Sequence, residues 1–352
     1  MLNDKVQKQT SGEQSTNLQG GSIVINQGIS YADAKEIALD VYKSNFLTLA
    51  QDAAATAVQR AEKLTDDFLS RLQEESPETM GMMREPSMQM AIFSAQREYA
   101  RTGDSDLEDL LVDILVERAK EAERTIRQIV LDESLTIAAK LTADQMDALT
   151  VNFLIARTKN YRLLNLQALE HHLDNELLPF AEDLTTSDSC YTHLEYAGCG
   201  SIMQLGGRGK IEKRFRDSYP GLFCKGLTEE ELSDALPEPA PYRNVLMPCL
   251  HDSQRFQVNA MDTEVVKEEC KKHGIDEEGE KKLCALFEKS RMSEAEVKEY
   301  FLRTRPAIEG LFETWDNSPL SKLSLTTVGI AIAQANFRRK TGQRLDLSIW
   351  VK

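Results

Sequence analysis

The chain has 352 residues and a formal net charge of −15. That length suits two domains or one elongated one. The acidity excludes a whole-surface role on nucleic acid, which needs a basic face, while leaving room for a local basic patch. No run of about 18 uncharged apolar residues is present, so no transmembrane helix is expected. Met1 to Thr10 lack the apolar core of a signal peptide, so the expected location is cytoplasmic. Cys190, Cys199, Cys224, Cys249, Cys270 and Cys284 then read as free thiols rather than disulfides.

Residues 1–29 form a polar leader in which Leu18, Ile23 and Ile25 alternate like short strands around the turn signal Gly20-Gly21. Strands this short do not stand alone, so they must pair with the body or with copies of the chain. Ser30, with Asp33 three residues on, has the spacing of a capping box. It opens a stripe through Ala34, Ala38, Val41, Asn45, Leu49, Ala53, Ala57, Ala61, Leu64, Phe68 and Leu72 at helical steps of three and four. Read as one helix over 30–75, it is a rod about 65–70 Å long. A second apolar face with Ile37, Tyr42, Phe46 and Leu47 calls for more than one neighbour.

Residues 76–90 break the helix and hold five methionines, read as gap-filling side chains of a linker rather than a binding surface. Further helices are expected over 86–101, from a Ser105/Glu108 cap to about Lys140, from Thr142 with Gln145, and over 161–180. Residues 30–184 thus read as a long-helix bundle. Composition changes at 185, where a smaller α+β domain is expected to run to 352. Tyr191 to Ala197 and Ser201 to Leu205 alternate like strands, with Gly198 and Gly200 between them. Residues 208–219 read as a basic helix, Thr228 with Glu231 as a cap, 237–250 as a loop and Arg255 to Asn259 as a strand. Mixed charge at three- and four-residue spacing over 264–299 suits solvated helices, with Ser293 and Glu296 capping the last. A helix ends at Gly342, and Leu345 to Val351 read as a strand closing the second domain. The fold class is therefore mostly α: a long-helix bundle with a smaller α+β C-terminal domain.

Three constellations bear on chemistry. Cys199 lies between glycines near His193, and a thiolate nucleophile needs such a base, His193 or His251; a packed thiol is the plainer reading. No metal-ligand spacing or cofactor motif is found, since Cys-x-x-Cys and His-Glu-x-x-His are absent and His171 and His172 point about 100° apart on a helix. Gly206-Gly-Arg-Gly-Lys210 lacks the full phosphate-loop pattern. With Arg208, Lys210, Lys213, Arg214 and Arg216 it still forms a basic cluster. A second holds Arg338, Arg339, Lys340 and Arg344. Either suits nucleic acid or an acidic partner, or else pairs with the chain's own carboxylates.

The stretches Asn26 to Tyr42, Leu141 to Leu149, His193 to Ser201 and Asp346 to Val351 resemble an uncharacterised bacterial family named only after locus tags. The resemblance spans nearly the whole chain and implies a bacterial cytoplasmic protein, with no established activity. Its Ser-Thr-Asn-Leu-Gln leader is similar to leaders in bacterial proteins, some of them in phage-defence settings. The leading functional expectation is a self-assembling scaffold or sensor in antiphage defence, with a defence-system partner protein. It would assemble as a homo-oligomer through Leu18, Ile23, Ile25, Val41, Leu49, Ala53 and Ala57. The alternatives are a hydrolase or transferase using Cys199 with His193, and a nucleic-acid-binding module using the two basic clusters. No cofactor and no membrane contact are expected.

Overall fold

Ser30 and Asp33 form the expected reciprocal cap, Ser30 N–H donating to the Asp33 carboxylate (3.3 Å) and Asp33 N–H to the Ser30 hydroxyl (3.2 Å). The computed structural model that contains this cap describes residues 30–45, 51–236 and 242–352. The expected strands of the leader, with Leu18, Ile23 and Ile25, lie outside the described residues, as do Phe46, Leu47 and Leu49.

The rod over 30–75 is two helices, α1 (Tyr31–Asn45) and α2 (Gln51–Glu75). They fold side by side. The Tyr31 hydroxyl donates to Asp66 (3.0 Å) and Lys35 pairs with Asp66 (2.7 Å). Thirty-five residues of continuous helix would put such partners about 50 Å apart. Both apolar faces of α1 make the hairpin: Ala34 and Ala38 of the first stripe join the main core, and Tyr42 of the second face packs with Ala57 and Ala61 of α2. After α2, Met80 and Met83 on the 3₁₀ turn Pro77–Arg84, and Met88 beyond it, fill the core. α3 (Pro86–Thr102) closes over the hairpin, its Gln96 amide donating to Ala38 O (3.3 Å) and to Thr65 Oγ1 (2.9 Å).

The helix expected from Ser105 to Lys140 is also two: α4 (Ser105–Ala119) and α5 (Ile126–Ala138). Asp104, one residue before Ser105, is the cap of α4, accepting from Asp106 N–H and Leu107 N–H. The break between them is held by a buried arginine. Arg118, 0 % exposed, reaches Asp132 on α5 (2.6 Å) and the Glu121 carbonyl (3.2 Å), and Thr125 caps the new helix.

α6 (Ala143–Arg157) starts at the expected Thr142/Gln145 box and is buried continuously from Gln145 to Ile155. A helix buried on all sides belongs in the middle of a fold. α7 (Leu166–His172) runs on through a π turn, Leu173–Leu177. Tyr191 to Ala197 are not a strand: α8 (Asp188–Tyr196) is a helix that buries Cys190, Tyr191 and Leu194, an i, i+1 and i+4 set. Gly198 ends it with φ 77°, so the glycine serves as a helix C-terminus and not as a hairpin turn. β1 (Gly200–Ile202) follows, then α9 (Ile211–Ser218).

α10 (Glu229–Ala235), β2 (Leu246–Pro248), β3 (Phe256–Val258), α11 (Thr263–Lys272) and α12 (Glu277–Ser290) surround a second, small core. Cys224, Val258, Cys270 and Phe287 lie in it. β2 and β3 pair antiparallel, so part of the stretch read as a loop is a strand, while 237–241 lie outside the described residues. α13 (Glu294–Thr304) and α14 (Glu309–Asn317) return to the main core.

β4 (Leu323–Leu325) pairs antiparallel with β1, and α15 (Thr327–Thr341) enters the centre, buried from Val328 to Phe337. α15 is tied to α6 by Asn336 donating to Asp147 (2.8 Å) and by Thr150 donating to Ala333 O (3.3 Å). The main core therefore runs from Ala34 to Val351 and crosses residue 185 without interruption. The C-terminal segment is not a strand. Asp346 caps a 3₁₀ turn, Leu347–Ile349, and Trp350 donates to the Arg157 carbonyl (3.0 Å) while its ring meets Phe153 edge-on at 4.9 Å. Leu347 and Val351 are the buried pair, a spacing of four rather than two. The fold is mostly α with two small two-stranded sheets, and no helix among the described residues is long and apolar enough to cross a membrane.

Candidate polyanion-binding site

The β1–β4 ladder, the C-terminal end of α6 and the start of α9 meet at one place. The loop between β1 and α9 carries Gly206-Gly-Arg-Gly-Lys210. Its backbone is held at three points. Arg208 N–H donates to Ser321 O (2.8 Å), Trp315 donates to Gly209 O (2.8 Å), and Arg214 donates to Arg208 O (3.1 Å). Gly206 and Gly209 take φ of 77° and 75°, which other residues resist. Arg214 spends the rest of its fork on the last carbonyls of α6, Ile155 O (2.6 Å) and Ala156 O (3.1 Å), where a cation favours the helix dipole.

Two further arginines converge on one hydroxyl. Arg157 and Arg208 each donate to Ser324 Oγ, at 3.2 and 3.1 Å. The Arg208 Nε is buried without a partner. Burial, and after it the charges of Arg157 and Arg214, hold the Arg208 guanidinium below its ordinary pKa; burial does the same to Arg214. Both stay protonated, since guanidinium does not titrate in proteins. Lys210 and Lys213 are exposed beside them, as are Lys159 and Arg162 after α6 and Lys322 before β4. Among the described residues none of these cations has a carboxylate within 4.0 Å. Asp217 lines the same cavity as Arg208, Lys213 and Arg214 but pairs with Arg216 (3.1 Å) and Arg291 (3.0 Å), and Glu212 is 3 % exposed with its Oε2 buried and unpartnered.

The second basic cluster is different. Arg338 and Arg344 both pair with Glu75, Arg339 with Asp106 (2.9 Å) and Lys340 with Asp147 (2.6 Å). Arg338 also faces the buried Asp113 at 3.4 Å. These side chains fasten α15 to α2, α4 and α6 and present no free charge to a ligand.

Cys199 is 0 % exposed and burial pushes its thiol up to about 12. Its carbonyl accepts from Thr326 N–H (3.0 Å). His193 is half-buried with Nδ1 against the Gln145 amide (3.0 Å), and no hydrogen bond joins it to Cys199 among the described residues. His251 is engaged through Nε2–H on Leu222 O (2.6 Å). A thiol so placed lacks access and a base, the two things a nucleophile requires.

Of the positions expected to assemble copies, Leu18, Ile23, Ile25 and Leu49 lie outside the described residues. Ala57 is buried within the hairpin of the same chain, Val41 is half-buried and Ala53 exposed. Of the second apolar face of α1, Tyr42 is buried against α2 and Ile37 packs half-buried on the main core, while Phe46 and Leu47 lie outside the described residues.

Sequence reasoning singled out Arg208, Lys210, Lys213 and Arg214 but missed Arg157, Lys159, Arg162, Lys322 and Ser324. Arg157-Thr-Lys-Asn-Tyr-Arg162 holds three cations and an aromatic in six residues with no acid, which is a readable signal. Ser324 carries none, because only the β1–β4 register brings it to Arg208.

Comparison with curated proteins and with solved structures finds no match. A family model, that of an uncharacterised family named after a locus tag, matches residues 28–351. The match takes in every helix and strand described above, and the chain belongs to that family.

Proposed function

We propose that the chain is a nucleic-acid-binding module that takes phosphates on the face formed by Arg157, Arg208, Lys210 and Lys213. One observation carries this: a cationic cluster without carboxylate partners in a protein of net charge −15 whose other basic cluster is fully paired. Two guanidiniums sharing one neutral hydroxyl repel each other, and an anion seated between them removes that repulsion. Arginine forks suit phosphate geometry. The acidity elsewhere weakens binding little at physiological salt, because charges beyond the Debye length of about 8 Å are screened.

The test is fluorescence anisotropy with a labelled oligonucleotide at about 50 mM and about 200 mM salt. Binding that weakens steeply with salt is expected, and Arg157→Gln with Arg208→Gln should flatten the dependence by about 1–2 units of log–log slope. Lys281→Gln, an exposed unpaired lysine on α12, should change neither. No binding at low salt, or an equal effect of Lys281→Gln, removes the proposal.

A further inference from the structure

We infer that the nucleic acid taken by this face is single-stranded and that a base stacks on Tyr161; this rests on the reading just given. Tyr161 is 80 % exposed, although large apolar and aromatic side chains are ordinarily covered. It sits between Lys159 and Arg162, and the Lys159 ammonium lies 5.4 Å from its ring centroid. Its position is fixed by the residue before it: Asn160 N–H donates to the Tyr219 hydroxyl (2.7 Å), and the Asn160 side chain anchors Arg162 N–H (3.0 Å). The ring is thus an exposed platform on an anchored loop.

The spacing suits a strand that lays its backbone on the cations and turns a base toward the ring. Arg157 and Tyr161 are four residues apart, a span of at most about 14 Å, within reach of a few nucleotides. Basic grooves interleaved with exposed aromatics bind single strands without demanding a sequence, because every base has a face to stack. A duplex hides those faces. The cations also do not lie along one helix face, as a helix reading a major groove requires. Arg157 ends α6, Lys159 follows it, Arg208 and Lys210 belong to the glycine loop, and only Lys213 projects freely from α9.

The experiment titrates one mixed-sequence oligonucleotide, as single strand and as duplex, against the full chain and its Tyr161→Ala and Tyr161→Phe variants. The single strand should bind at least about tenfold more tightly than the duplex. Tyr161→Ala should cost about tenfold on the single strand, the lower range of one base–aromatic stack, and leave duplex binding unchanged, while Tyr161→Phe keeps wild-type affinity. Equal affinity for both forms together with a silent Tyr161→Ala overturns this inference and leaves the phosphate-binding reading standing. Binding of neither form at low salt overturns both. Equal thermal melting of the full chain and both variants is the control for folding.

Discussion

Gly329 on α15 has no room for a side chain. A Cβ there would lie 1.9 Å from the Cys199 carbonyl oxygen and 2.9 Å from its carbon, and both are backbone atoms. Gly329→Ala therefore forces α15 and the Gly198–Gly200 turn apart by about 1.5 Å before an ordinary contact is restored. That movement strains two hydrogen bonds at the start of α15, Thr326 N–H to Cys199 O (3.0 Å) and Thr326 Oγ1 to Gly198 O (2.7 Å). Overpacking costs about 1–3 kcal/mol and each weakened hydrogen bond up to about 1 kcal/mol. The better helix propensity of alanine returns about 1 kcal/mol. The expected net loss is about 2 kcal/mol and at most about 4 kcal/mol, or roughly 3–5 °C in Tm for a chain of this size. Gly310 on α14 is the control, since a Cβ there meets nothing within 4 Å, and Gly310→Ala should stabilise by about 0.4–1 kcal/mol. Urea denaturation followed by circular dichroism reads both as shifts in midpoint at constant slope. If Gly329→Ala is as benign as Gly310→Ala, α15 does not lie against the Cys199 turn, and the placement of β1 and β4 that brings Ser324 to Arg208 loses its support.

In the native protein at about pH 8, Cys199 should alkylate far more slowly than Cys284, the one cysteine of the six that is not buried; mass spectrometry that finds Cys199 labelled at the rate of a free thiol would contradict its burial. Arg338→Met leaves the buried Asp113 with Arg71 alone and takes one cation from Glu75, so it should cost about 3 kcal/mol by denaturation without reducing oligonucleotide binding; a neutral variant would show that this cluster is not structural. Burial lowers the pKa of His251, with Arg303 adding to it, while its bond to Leu222 O opposes the shift. The unfolded chain then takes up the proton more readily, so this histidine's contribution is complete above about pH 6.5 and is lost as pH falls below it. Stability measured from pH 7.5 to 5.5 should fall less steeply for His251→Phe than for the wild type, and an identical slope would refute the burial.

Four helix starts were legible from a capping pair three residues apart, whereas Ser105/Glu108 misplaced the cap that Asp104 makes and Thr125 went unread. Ser30/Asp33, Thr142/Gln145, Thr228/Glu231 and Ser293/Glu296 all cap as their spacing requires. Helix ends without glycine or proline were not legible. The turn at 120–125 depends on Arg118 reaching Asp132 across two helices, and the α1–α2 hairpin on Tyr31 and Lys35 meeting Asp66; both are contacts between distant residues. Tyr191 to Ala197 and Leu345 to Val351 alternate over only a few residues, where a strand pattern and a short helical one look alike. In each case the buried residues fall at helical spacing. The basic clusters were legible as composition, but not which of them was neutralised. The carboxylates that quench Arg338, Arg339 and Lys340 come from α2, α4 and α6, far back in the chain.

The most direct measurement is ultraviolet cross-linking of the full chain to a single-stranded oligonucleotide, with the adducts located by mass spectrometry. Adducts concentrated in residues 155–164 and 206–218, with Tyr161 among them, are expected. Adducts confined to the α15 end around Arg338–Arg344, or spread evenly over the chain, would contradict the assignment of this face.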